Sequence, residues 1–147
     1  MIIADVADDG VSAPASVVDD LVGVVARAES DGIALSIVVI DRDPPQDSQL
    51  RDLATDVGSV EGGTVLVLSP GQVGSFSDGI SRVVLEAGQD LTYTGNAVVA
   101  ANNFVDEISE PGMPWTAYTV GLLIIVAAVI AALAALGARR GRTSTNR

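Results

Sequence analysis

Residues 33–69 read IALSIVVIDRDPPQDSQLRDLATDVGSVEGGTVLVLS, and three segments of that stretch decide the fold. The opening IALSIVVID is a β-branched run with too few polar breaks for a half-exposed strand, so it predicts a central strand buried on both faces. Asp43, Pro44 and Pro45 end it. Asp47 is a good N-cap for a helix that carries Leu50, Leu53, Ala54 and Val57 on one face as far as Gly58. Gly62 and Gly63 then stop the helix, and TVLVLS at 64–69 predicts a second buried strand, closed by Pro70 and Gly71. Strand, helix and strand in this order make a βαβ unit with parallel strands, which gives an α/β fold with helices covering the sheet.

Upstream, Ser16 and Asp19 have the spacing of a capping box, and Val18, Leu21, Val22, Val25 and Ala28 follow at helical intervals before Asp31 and Gly32. Residues 1–12 are expected as an N-terminal tail. Their early apolar residues precede acids instead of following a basic region, so no cleavable secretory signal is expected there. Downstream, Ser77, Asp78 and Gly79 lie between the apolar runs 73–76 and 80–86, which predicts a hairpin adding an antiparallel pair and so a mixed α+β sheet. A third helix is expected near 96–108, presenting Val98, Ala101, Phe104, Val105 and Ile108. The α/β domain is thus bounded at 13–109, with a Pro- and Gly-containing linker at 110–116.

The linker leads into YTVGLLIIVAAVIAALAALGA at 118–138, which carries no charge and is followed by Arg139, Arg140 and Arg142. A helix needs about 20 mainly apolar residues to cross a bilayer, so 117–138 are expected as one transmembrane helix and 139–147 as a basic tail. The lipid bilayer is therefore the first partner. Trp115 and Tyr118 suit one interface, and Arg139, Arg140 and Arg142 suit the other. The positive-inside rule favours a cytoplasmic tail and an extracytoplasmic domain, since translocating each arginine opposes the membrane potential by ~2.3 kcal/mol per 100 mV. The competing arrangement is a tail anchor with the domain inside, which needs no signal peptide. Ala127, Ala131 and Ala135 recur every fourth residue, as do Ala128 and Ala132; such small residues would allow helix–helix self-association, although alanine is common enough here for the spacing to arise by chance.

All 19 carboxylates lie at or before Glu110, and only four arginines (Arg27, Arg42, Arg51 and Arg82) oppose them there, so the domain carries a net −15 while the tail carries +4. A surface of that sign repels nucleic acid, and no nucleic-acid partner is expected. Lysine, histidine and cysteine are absent. That excludes Ser-His-Asp and Cys-His nucleophiles, imidazole or thiolate metal sites, and a P-loop lysine.

What chemistry remains is carboxylate, hydroxyl and guanidinium. Asp41 and Asp43 flank Arg42 at the carboxyl end of the first central strand, where open α/β sheets place ligands. With Asp47 close behind, they are the candidate ligands for Ca²⁺ or Mg²⁺, which prefer oxygen. The plainer reading is that Asp41 ends a strand, Asp43 opens a turn and Asp47 caps a helix, with no cofactor. GQVGSFS at 71–77 is rich in Gly and Ser, but it lacks a lysine and runs into a strand. Arg82 is placed to pair with Glu86 or Asp78, and Asn102 and Asn103 read as a solvated helix surface.

The order DGIALSIVVID, DSQLRDLATDVG, GGTVLVLSP, SDGISRVVLEAG and ANNFVDEI before a transmembrane segment resembles the TPM domain, a family of thylakoid-lumen and bacterial envelope proteins. The series TVLVLSP, SFSDGISR, LEAG and NFVDE is more narrowly similar to small single-pass membrane proteins of mycobacteria and corynebacteria, often encoded beside NlpC/P60 cell-wall peptidases. The resemblance implies a four-stranded sheet covered by helices on the outer side of the cytoplasmic membrane. Some TPM proteins bind calcium or have acid phosphatase activity, and Asp41 and Asp43 lie where such a metal would sit. The function expected is a membrane-anchored, non-enzymatic interaction or scaffold domain of the actinobacterial cell envelope, with an envelope protein as partner and cell-wall remodelling enzymes as the setting. The alternative is a divalent-metal-dependent phosphatase-like hydrolase.

Overall fold

A computed structural model describes the backbone of residues 2–110 and 115–144, and side chains over 2–110 and 118–135. The two buried runs form parallel strands, β2 (Leu35–Val39) and β3 (Thr64–Leu68), in register from Leu35 opposite Thr64 to Val39 opposite Leu68. Helix α3 (Ser48–Glu61) connects them. A two-residue strand β1 (Val11–Ser12) pairs parallel with β2, and β4 (Val73–Ser77) pairs antiparallel with β3. The sheet is therefore mixed, four-stranded, and ordered β1-β2-β3-β4.

Strand alternation divides the core between the two faces of the sheet. Ile37 and Leu66 point to one side, where α2 (Val18–Ser30), α4 (Arg82–Asp90) and α5 (Ala97–Ser109) supply Leu21, Leu85, Phe104 and Val105. Val38, Val65 and Val67 point to the other, against Leu50, Ala54 and Val57 of α3 and Val6 of α1 (Ile2–Asp9). Both central strands are thus covered on both faces, as their unbroken apolar runs require.

The structure departs from the sequence reading in four places. Residues 2–12, expected as a tail, form α1 and β1; Val6 is 3% exposed, and the Ile37 N–H donates to Gly10 O at 2.8 Å. The hairpin lies one connection earlier than expected, at the turn closed by the Ser69 N–H on Gln72 O. The run 80–86 belongs to a helix instead of a strand. Ser77 Oγ accepts the N–H groups of Gly79 and Ile80, which turns the chain out of the sheet, and Ser81 O accepts from Val84 and Leu85 to begin α4. The fourth difference is at α2, whose N-cap is Val17 without a side-chain bond. Ser16 is held inside a turn closed by the Val17 N–H on Pro14 O, so no capping box forms.

Residues 111–147 form a separate compact unit. Its helix α6 (Trp115–Ser144) contains an 18-residue window, Tyr118–Ala135, of mean hydropathy 2.5. Among the described residues it is the one helix long and apolar enough to cross a membrane. Residues 111–114 of the expected linker lie outside the described residues, as do the side chains of Trp115, Arg139, Arg140 and Arg142; Tyr118 is 62% exposed.

Candidate functional site: a crevice at the carboxyl edge of the sheet

β2 and β3 end side by side, and three connections gather beyond them: the loop after β2, the β3–β4 turn, and the segment joining α4 to α5. They enclose a crevice of about 370 Å³. Its apolar wall includes Ile40, Leu68 and Ala97, and its polar wall includes Gln72, Thr92, Tyr93 and Asn96. The position is the one at which parallel α/β sheets leave room for ligands.

Asp43 stands at the join of two of these connections. Ser69 Oγ donates to its Oδ1 at 2.6 Å, and the Gly71 N–H donates to the same oxygen at 2.8 Å. Both bonds favour the ionised form, the serine hydroxyl more than the backbone, and they hold the Asp43 carboxyl below its ordinary 3.8. Gln72 Nε2 donates to Pro44 O at 3.3 Å and adds a second strap between the same loops. The Gln72 Oε1 is buried and has no hydrogen-bond partner among the described residues. Asp41 lies exposed on the loop, and Asp47 spends its Oδ1 on the Ser48 N–H at 2.8 Å. Among the described residues no three acidic side chains come together as a metal-holding group.

Asn96 caps α5 by accepting the N–H groups of Val98 and Val99 at 3.0 and 3.1 Å, so the helix terminus behind the crevice already has an acceptor. Tyr93 is 65% exposed at the mouth. The crevice thus combines an apolar wall with the exposed phenol of Tyr93 at its mouth. Sequence reasoning located the strand end and Asp43, but missed Gln72, Thr92, Tyr93 and Asn96 as lining. Their common signal is position, since they occupy the turn after β3 and the loop before the final helix of the domain.

The other candidates serve structure. GQVGSFS forms the turn and β4, and Arg82 pairs with Glu86 at 2.6 Å. Asn102 Oδ1 and its backbone O both accept from Arg27 Nη2, at 2.9 and 3.1 Å, while Arg27 Nη1 pairs with Asp106, so one arginine ties α2 to α5. Asn103 Nδ2 donates to Leu91 O at 3.0 Å.

A family model described as "Membrane protein Rv1476" matches residues 1–147. The chain belongs to the Rv1476 membrane protein family. A relative named "Membrane protein Rv1476" from Mycobacterium tuberculosis (strain ATCC 25618 / H37Rv) is 51% identical over 146 residues, an alignment covering 97% of this chain and 78% of the relative. No solved structure matches the chain. Membership of the Rv1476 family makes this a membrane protein, and α6 is its candidate span.

Proposed function

We propose that this Rv1476-family protein is a membrane-anchored interaction domain of the cell envelope, without enzymatic activity of its own, which assists cell-wall remodelling enzymes from the outer face of the cytoplasmic membrane. The observation that carries the reading is the use made of Asp43. The carboxylate best placed for metal chemistry accepts two hydrogen bonds that fasten the loop after β2 to the β3–β4 turn, so it acts as a strut in a rigid surface. The absence of lysine, histidine and cysteine from the sequence narrows catalysis in the same direction. Support for the setting comes from the TPM-like order of elements and from the mycobacterial relative. The arginine tail favours an outward domain, with Trp115 and Tyr118 at the outer interface and Arg139, Arg140 and Arg142 at the inner one.

The test is affinity capture of the full chain from mildly solubilised membranes, against a control carrying residues 111–147 alone. An envelope protein recovered only with the full chain is the expected result, and recovery of the same set by both removes the reading. Protease added to intact spheroplasts reports the side: the domain is expected to be digested from outside. A second reading, a Ca²⁺- or Mg²⁺-dependent phosphate-ester hydrolase, is favoured by the place of Asp41 and Asp43 beside the crevice. It requires metal-stimulated turnover that falls in Asp41→Asn and Asp43→Asn.

A further inference from the structure

Three helices of the domain end around the amino end of β2. α1 closes at Asp9, α2 at Ser30 and α3 at Glu61, and their last turns border a crevice of about 460 Å³. Its floor is buried and includes Val6, Leu35 and Ser36. Its rim is exposed and acidic, with Asp8 and Asp9 from α1, Glu29 from α2 and Glu61 from α3. No arginine among the described residues lines it.

A helix leaves unsatisfied carbonyls and the negative end of its dipole at its carboxyl terminus, where a cation is stabilising and a carboxylate is not. α1 and α3 carry no basic residue in the last turn, and the one in α2, Arg27, is drawn away to Asp106. Each helix thus ends on an acid that its own dipole disfavours, and the three ends meet at one opening. None of the four carboxylates pairs with an arginine among the described residues. Asp9 Oδ1 accepts the Val11 N–H at 3.0 Å; the side chains of Asp8, Glu29 and Glu61 accept no hydrogen bond there.

A second observation comes from the floor. Ser36 is 8% exposed, and its Oγ makes no hydrogen bond among the described residues, although buried hydroxyls normally find a partner. The fully enclosed polar atoms without a partner are Arg27 Nε and Gln72 Oε1. The Ser36 Oγ is not one of them, so it keeps contact with the crevice it lines. The same geometry argues against a bare metal ion, since no three acidic side chains among the described residues come together to hold one. Acids that stand apart around an apolar floor match a cation with two heads joined by methylenes, the stem lying on apolar side chains while the charged ends stay at the wet rim.

We propose that the crevice between the carboxyl ends of α1, α2 and α3 is a binding site for an aliphatic diammonium cation. Its ammonium groups meet the rim carboxylates of Asp8, Glu29 and Glu61, its methylenes lie on Val6 and Leu35, and Ser36 Oγ accepts an ammonium N–H. The cation also supplies the positive charge that three helix dipoles lack. The inference goes beyond the interaction reading above and does not depend on it.

The test is an amide chemical-shift titration of the full chain in phosphatidylcholine nanodiscs at physiological salt, with pentane-1,5-diamine, n-pentylamine or Mg²⁺. The diamine is expected to give saturable shifts at Gly10, Glu29, Ser36 and Gly62, and to bind about threefold or more tightly than pentylamine, which has one head, or Mg²⁺, which has the charge without the stem. Glu29→Gln with Glu61→Gln is expected to weaken the diamine about fivefold and Ser36→Ala about twofold, whereas Asp90→Asn with Glu107→Gln, the same charge change away from the crevice, leaves it unaltered. Neutral amides relieve the dipole conflict, so the Glu29 and Glu61 double variant is expected to melt no lower than the parent, and its lost binding is not lost fold. Mg²⁺ binding as tightly as the diamine, equal weakening in the two double variants, or no saturable shift overturns the proposal. Acetyl-Lys-Gly-Lys-amide distinguishes the source: tighter binding than the diamine supports the site with a lysine-bearing polypeptide as its occupant, and weaker binding supports it with a free polyamine.

Discussion

Gly58 of α3 and Phe76 of β4 interlock, such that a Cβ on the glycine would stand 2.3 Å from Cδ1 of the ring and 2.6 Å from Cε1. Replacing a helical glycine by alanine ordinarily gains ~1 kcal/mol of helix propensity, while forcing a methyl into filled space costs ~1–3 kcal/mol. The steric term is the larger here because the contact is with a ring that closes one face of the core. Gly58→Ala is expected to lower stability by about 1 kcal/mol in denaturant melts. Adding Phe76→Leu should recover part of the loss, giving a favourable coupling in a double-mutant cycle.

Asp43 gives a pH-dependent contact between two loops. Its folded pKa is depressed by the Ser69 hydroxyl and the Gly71 amide, so the bonds contribute above the ordinary 3.8 and are lost as pH falls through the lower, folded value. The Gly71 amide resonance is expected to titrate with a midpoint below 3.8. In Asp43→Asn that titration should vanish; a midpoint at or above the ordinary value would contradict the geometry.

The cap on α5 is separable from the rest of the crevice. Asn96→Ala removes the acceptor for two backbone N–H groups and is expected to cost ~1 kcal/mol, while Asn96→Asp should cost little or nothing. Thermal melts of the three chains check the order.

Within α6, Ile125 and Val129 lie inside the apolar window. An aspartate at mid-span costs ~2.5–3.5 kcal/mol on insertion scales, so Ile125→Asp with Val129→Asp is expected to move the protein into the soluble fraction on alkaline extraction. Retention in the pellet would argue that another segment holds it at the membrane.

The parts of the fold that could be read from sequence are those whose stability is written locally. IALSIVVID and TVLVLS admit one reading because each is long, β-branched and closed by proline or glycine, and Asp47 and Asn96 announce their helices through short side chains that cap them. What could not be read depends on distant partners. β1 is two residues long and exists through its pairing with Ile37 and Val38, while α1 buries Val6. The run 80–86 beside Ser77, Asp78 and Gly79 suggested a strand, yet in α4 Val83 is 77% exposed and Leu85 is buried in the same cluster as Phe104. Asp43 meets partners 26 and 28 residues away, a distance over which no spacing rule operates.

The two ends of the sheet are unequal. β1 offers only two residues, and the five of β4 are covered at their middle, where α3 and α4 pack and Gly74 and Ser75 are buried. Indefinite stacking needs two serviceable margins on every copy. A sheet with neither margin open along its length has no repeating edge for strand-by-strand growth, the hazard that crowding at a membrane surface would otherwise sharpen.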